Sequence, residues 1–118
     1  KGKKPFDVVQ LNGIDQILWP DHCVQGTFGA QLHKDLDIRP ISAIFRKGMN
    51  SKIDSYSAFF DNNKLNNTGL HGFLQDKGIT ELVFCGLAGD FCVAYSANDA
   101  KVLGYKVSLF DKGIRSIN

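Results

Sequence analysis

One stretch constrains this chain more than any other: Glu81-Leu-Val-Phe-Cys-Gly-Leu-Ala-Gly-Asp-Phe-Cys-Val-Ala-Tyr-Ser-Ala-Asn-Asp-Ala100. The apolar run from Leu82 to Leu87 reads as a buried strand spanning 81–87, and Gly86, Ala88 and Gly89 permit a tight bend. A helix pattern begins near Asp90 and stops at Gly104, and a second strand pattern occupies 105–110. Strand, helix and strand joined by short turns make a βαβ unit, whose two strands run parallel. The fold class is therefore α/β with a parallel sheet.

The remaining segments are less regular. Residues 1–40 carry Gly2, Pro5, Gly13, Pro20, Gly26, Gly29 and Pro40, which interrupt every periodic run, so no regular element is expected there. Ile41 to Phe45 reads as a short buried strand, and 46–64 as a polar loop broken by the apolar patch Tyr56 to Phe60. Residues 68–77 are amphipathic, with Leu70, Phe73 and Leu74 on one helical face and Gly78 as the stop. A length of 118 residues suits one domain, 1–118, with one core. Three parallel strands with two helices supply too few layers to cover both faces of a sheet, so the chain reads as the middle of a larger α/β domain.

Charge and cysteine usage exclude several partner classes. The net charge of +2 is mild and scattered, with Lys1, Lys3 and Lys4 read as a solvated terminus, so no nucleic-acid partner is expected. No apolar stretch is long enough to span a bilayer and no signal-peptide core is present, so no membrane role is expected. Three cysteines without framework spacing fit a reducing compartment, with the cytoplasm as the default.

Cys92 falls in the first turn of the helix after the bend, where unpaired N–H groups and the positive end of the helix dipole favour thiolate. Those N–H groups can also stabilise an oxyanion. A small apolar residue packed under a helix is an equal reading of the same cysteine. Lys47 follows the strand at 41–45 and is expected at the same sheet edge, where an ammonium would lower the thiol pKa; a surface lysine is the commoner case. Trp19-Pro-Asp-His-Cys-Val24 places His22 behind a proline turn, and from this segment alone a structural histidine is the stronger reading. Cys23 and Cys85 read as core thiols. Gly86-Leu-Ala-Gly89 lacks the spacing of a phosphate-binding loop.

Taken together, these segments resemble the nicotinamidase/pyrazinamidase branch of the isochorismatase-like cysteine hydrolases. The resemblance lies in Leu18-Trp-Pro-Asp-His-Cys-Val-Gln-Gly-Thr27, Gly29-Ala30 with His33, Phe45-Arg-Lys-Gly48, Asp54-Ser-Tyr-Ser-Ala-Phe-Phe60, Gly86-Leu-Ala-Gly-Asp-Phe-Cys-Val93, Asp99-Ala100 and Gly104-Tyr105. It implies a three-layer α/β/α isochorismatase-like hydrolase fold, incomplete in this chain. It implies conversion of nicotinamide, and of pyrazinamide, to nicotinate and ammonia through a thioester on Cys92. Lys47 would belong to an Asp-Lys-Cys triad, and the Leu87–Ala88 peptide would be cis, aiming the Ala88 N–H at the oxyanion beside that of Cys92. Trp19, Tyr56 and Phe91 would line the pyridine pocket. His22 would become a ligand of a divalent metal, zinc in most of the family and iron or manganese in some. The partner implied is the small molecule nicotinamide, with a homo-oligomer left open.

Two departures accompany the resemblance. Gly89 stands where the family usually has threonine, and nothing in residues 1–17 matches the family's catalytic aspartate or its upstream metal ligands. The chain taken alone is accordingly expected to bind no stoichiometric metal and to hydrolyse no nicotinamide. The competing readings are another isochorismatase-like amidase and a catalytically inert fragment with a structural role.

Overall fold

The computed structural model describes residues 2–118, so Lys1 of the basic amino end lies outside the described residues, while Lys3 and Lys4 are exposed. The chain divides into two compact units, one ending at Ile44 and one running from Phe45 to Asn118.

The first unit contains an element not expected from the sequence reading. Strands β1 (Val8–Leu11) and β2 (Ile14–Ile17) pair antiparallel, with Val8 opposite Ile17 and Leu11 opposite Ile14. Asn12 (φ 50°) and Gly13 (φ 80°) both adopt left-handed backbone, the requirement of a two-residue hairpin turn that matches strand twist. Asn-Gly between two short apolar-rich runs is a strong hairpin signal, and the density of glycine and proline around it concealed it. Bonds from Leu18 N–H to the Asp7 carbonyl (2.9 Å) and from Phe6 N–H to the Leu18 carbonyl (2.6 Å) extend the pairing. The strand expected at Ile41–Phe45 does not form. Ile41 and Ile44 are exposed, and the Phe45 ring instead packs on Phe73 at 5.4 Å. A short apolar-rich segment becomes a strand only when a neighbour completes its ladder, and none pairs with it among the described residues.

The second unit is the βαβ unit with an added helix. Helix α1 (Leu70–Asp76) is followed by β3 (Glu81–Leu87), a π-helical turn (Gly89–Val93), α2 (Ala94–Val102) and β4 (Lys106–Arg115). Strands β3 and β4 are parallel, Glu81 opposite Lys106 and Leu82 opposite Val107, and the register shifts between Phe84 and Gly86. Gly78 and Gly104 follow the two helices with positive φ, as the sequence predicts for helix stops. Phe59, Leu74, Ala100 and Tyr105 form the buried core, with Leu82, Phe84 and Val107 packed against it. Phe59 is 1% exposed and its ring stacks on Tyr105 at 6.1 Å.

The other face of the sheet is open, with Val83, Leu87 and Phe110 exposed. Strand side chains alternate between faces, so Cys85, on the side of Val83 and Leu87, is exposed as well. Cys23 is also exposed, on a residue with φ 48°, so neither cysteine is a core thiol. No helix among the described residues is long and apolar enough to cross a membrane.

Candidate active site

The chain turns sharply after β3. The Leu87–Ala88 peptide is cis. The Ala88 carbonyl then accepts N–H bonds from both Phe91 (3.2 Å) and Val93 (3.0 Å), closing the π-helical turn that carries Cys92. The helix expected at 90–103 thus begins with this wider turn, and Cys92 within it is half-buried.

Gly89 has a steric cause. A Cβ there would lie 2.6 Å from Ile114 Cγ2 and 2.6 Å from Ser116 Oγ, so the carboxyl end of β4 occupies the space that a side chain would need. Next to it, the Asp90 carboxylate accepts N–H bonds from Ile117 (3.1 Å) and Asn118 (3.0 Å). Burial alone would push this carboxyl up, but those amides outweigh it and hold the pKa below the usual aspartate value. The strand end and the cysteine turn are therefore tied together.

Two of the three aromatic residues implied for the substrate pocket stand side by side. The buried Tyr56 ring meets Phe91 edge-on at 5.4 Å, directly before Cys92 in the chain. Tyr95 joins them at 5.1 Å from Tyr56. The sequence reading did not single out Tyr95, although its spacing of four from Phe91 on a helix places both on one face.

The loop bearing Tyr56 is built by short polar side chains. The Tyr56 N–H donates to Asn62 Oδ1 (3.1 Å). Asp61 accepts from the backbone of Leu65 (3.0 Å) and Asn66 (3.1 Å) and from Asn66 Nδ2 (2.6 Å). Burial would raise the Asp61 pKa, yet these donors prevail and keep it below the ordinary range. Lys47 Nζ donates to the Ser55 carbonyl (2.7 Å), next to Tyr56. No strand delivers Lys47; this hydrogen bond places it instead. It lines an open cleft of about 350 Å³ with Met49, Ile53 and Asp61, and Cys92 is not part of that lining.

The other two implied residues belong to the first unit. Trp19 packs edge-on against Phe6 at 6.0 Å. The exposed His22 places Nδ1 2.7 Å from the Pro20 carbonyl. A carbonyl can only accept, so Nδ1–H is the donor in this contact and Nε2 is the nitrogen left for a metal. Backbone carbonyls orient metal-binding imidazoles in the same way, so His22 is chemically fit to be a ligand. Among the described residues no three His, Cys, Asp or Glu side chains are grouped as a metal site.

The parallel βαβ unit with its cysteine-bearing turn falls in a defined class: the Isochorismatase domain matches residues 8–118, and the chain belongs to that family. Its fold is the α/β isochorismatase-like fold. The chain is 49% identical over 117 residues to the nicotinamidase of Escherichia coli (strain K12), an alignment covering 99% of this chain and 55% of that protein. It matches the solved nicotinamidase and pyrazinamidase of Acinetobacter baumanii with a TM-score of 0.95 at 43% identity, covering 99% of this chain and 56% of the other. The pyrazinamidase of Pyrococcus horikoshii, solved in complex with zinc, matches with a TM-score of 0.72 at 30% identity, over 85% and 51% of the two chains. The chain spans about half the length of the curated relatives it matches.

Proposed function

We propose that the protein hydrolyses nicotinamide, and pyrazinamide, to the pyridine or pyrazine carboxylate and ammonia. The observation that carries this reading is 49% identity to a nicotinamidase across 99% of the chain. The packing of Tyr56 on Phe91, beside Cys92, supports a flat aromatic substrate held against the nucleophile.

The Cys92 thiolate attacks the carboxamide carbon, and the oxygen takes up the negative charge within reach of the Ala88 and Cys92 N–H groups. Collapse expels the nitrogen, which leaves as ammonia after gaining a proton, and a thioester remains on Cys92. Water adds to the thioester carbon, the C–S bond breaks, and the acid and thiol are released. Lys47 stabilises the negative charges at the site, while proton transfer falls to the aspartate that the family resemblance implies. His22 would hold a divalent metal, zinc first, through Nε2, and that metal would supply an electrophilic anchor for the ring nitrogen.

Turnover in the presence of hydroxylamine tests the covalent route. Interception of the thioester should yield the hydroxamate alongside nicotinate, and Cys92→Ala should abolish both products. Undiminished hydrolysis by Cys92→Ala would overturn the mechanism.

A further inference from the structure

Ser96 is one of the few buried polar side chains of the second unit, at 5% exposure, and nothing above assigns it a role in the reaction. Its hydroxyl makes two bonds of opposite sense. As donor it reaches the Cys92 carbonyl at 2.6 Å, and as acceptor it receives the Ala58 N–H at 2.8 Å. The first is a bond one helical turn back, which any helical serine can make. The second is a contact across 38 residues to a different segment.

The Ala58 peptide is gripped from its other end too, because Thr68 Oγ1 donates to the Ala58 carbonyl at 2.6 Å. Ala58 lies two residues after Tyr56, whose ring contacts Phe91 and Tyr95 on either side of Cys92 in the chain. The hydroxyl of Ser96 is thus a hydrogen-bonded link between the backbone of Cys92 and the loop that carries the aromatic wall.

We propose that Ser96 is a positioning residue, setting the distance between the nucleophile's backbone and the Tyr56 wall; this rests on the thiol-hydrolase reading given above. A hydroxyl suits this link because it offers one donor and two acceptor sites at a single atom. With the hydroxyl removed, the Ala58 N–H and the Cys92 carbonyl each lose a partner, and the loop can drift relative to the thiol. Misplacement of reacting groups by about 1 Å costs on the order of a hundredfold in rate. Alkylation of the thiol by a small reagent needs no aromatic wall and should be spared.

The test compares the full-length protein with its Ser96→Ala and Ser96→Thr variants, each checked for folding by thermal unfolding. Nicotinamide kinetics, the rate of Cys92 alkylation by iodoacetamide and the exchange rate of the Ala58 amide proton are measured in each. For Ser96→Ala we expect kcat/KM to fall about ten- to a hundredfold, with alkylation within about threefold of the parent and faster Ala58 exchange. Ser96→Thr, which keeps the hydroxyl, should recover activity to within about threefold. Unchanged kcat/KM in a folded Ser96→Ala would overturn the proposal, as would a folded Ser96→Thr no more active than a folded Ser96→Ala. If Ser96→Ala does not fold, Thr68→Ala loosens the same Ala58 peptide and decides: kcat/KM equal to the parent overturns the proposal, and a loss with alkylation spared supports it. A parent protein that releases no ammonia from nicotinamide refutes the functional reading itself, an outcome separate from an active parent matched by its variants.

Discussion

Asp61→Asn is the sharpest probe of how the Tyr56 loop is held. The carboxylate serves two sides at once: Oδ1 takes the Leu65 N–H, and Oδ2 takes both the backbone N–H and the amide of Asn66. An asparagine has one carbonyl oxygen, so whichever side it serves, its NH2 faces a donor on the other. At least one bond is lost, and the other two become neutral. Bonds to a charged acceptor contribute about 1.5–3 kcal/mol and neutral ones about 0.5–1.5 kcal/mol. One lost bond and two weakened ones sum to roughly 3.5–6 kcal/mol, and hydration of the freed donors on the exposed residues Leu65 and Asn66 reduces that to about 2–4 kcal/mol.

The pH dependence has a definite sign. The folded carboxyl titrates below its unfolded value, so its contribution is complete above the unfolded pKa of about 3.9 and is lost as pH falls through the folded one. The stability gap between parent and variant should therefore be full near neutrality and narrow under acid conditions below about pH 4. Urea unfolding of both proteins at a series of pH values measures it. A gap under about 0.5 kcal/mol at neutrality, or one independent of pH, would refute the ledger of bonds drawn from the loop.

Three further outcomes are expected. Brief iodoacetamide treatment followed by mass mapping should label Cys92 first, although Cys23 and Cys85 are the more exposed thiols, and faster labelling of either would remove the nucleophile assignment. His22→Ala in the metal-loaded protein should lower bound metal and nicotinamide turnover together, by at least tenfold in metal affinity, read by metal analysis after dialysis; full metal retention would exclude His22 as a ligand. Gly89→Ala should destabilise by about 1–3 kcal/mol in urea unfolding, since its Cβ would lie 2.6 Å from Ile114 Cγ2, whereas a neutral effect would mean that the end of β4 yields freely.

Much of the second unit was legible in the residues. The run Leu82–Leu87, the small residues after it and the glycines at 78 and 104 specify the strand, the bend and both helix stops through local sterics and periodicity, and the structure has them at those places. Asn12-Gly13 carried an equally local signal, positive φ at two successive residues, but the surrounding glycines and prolines masked it and no hairpin was expected there. Cys92 stood out because a cysteine after a strand and a glycine-rich bend is a local pattern, whereas Phe91 entered only through the family resemblance. Ile41–Phe45 shows where local information ends. Its composition suits a strand, but only a partner's hydrogen bonds would make it one, and Phe45 packs on Phe73 instead. The exposure of Cys85 is likewise a property of which sheet face is covered, which an unbroken apolar run does not encode. The Ser96 link to Ala58, the grip of Asp61 on its loop and the approach of Ile114 to Gly89 join residues distant in the chain or depend on a folded loop. Periodicity and propensity read neighbours along the sequence, whereas hydrogen bonds and steric exclusion act between neighbours in space, so these contacts were decided by tertiary structure alone.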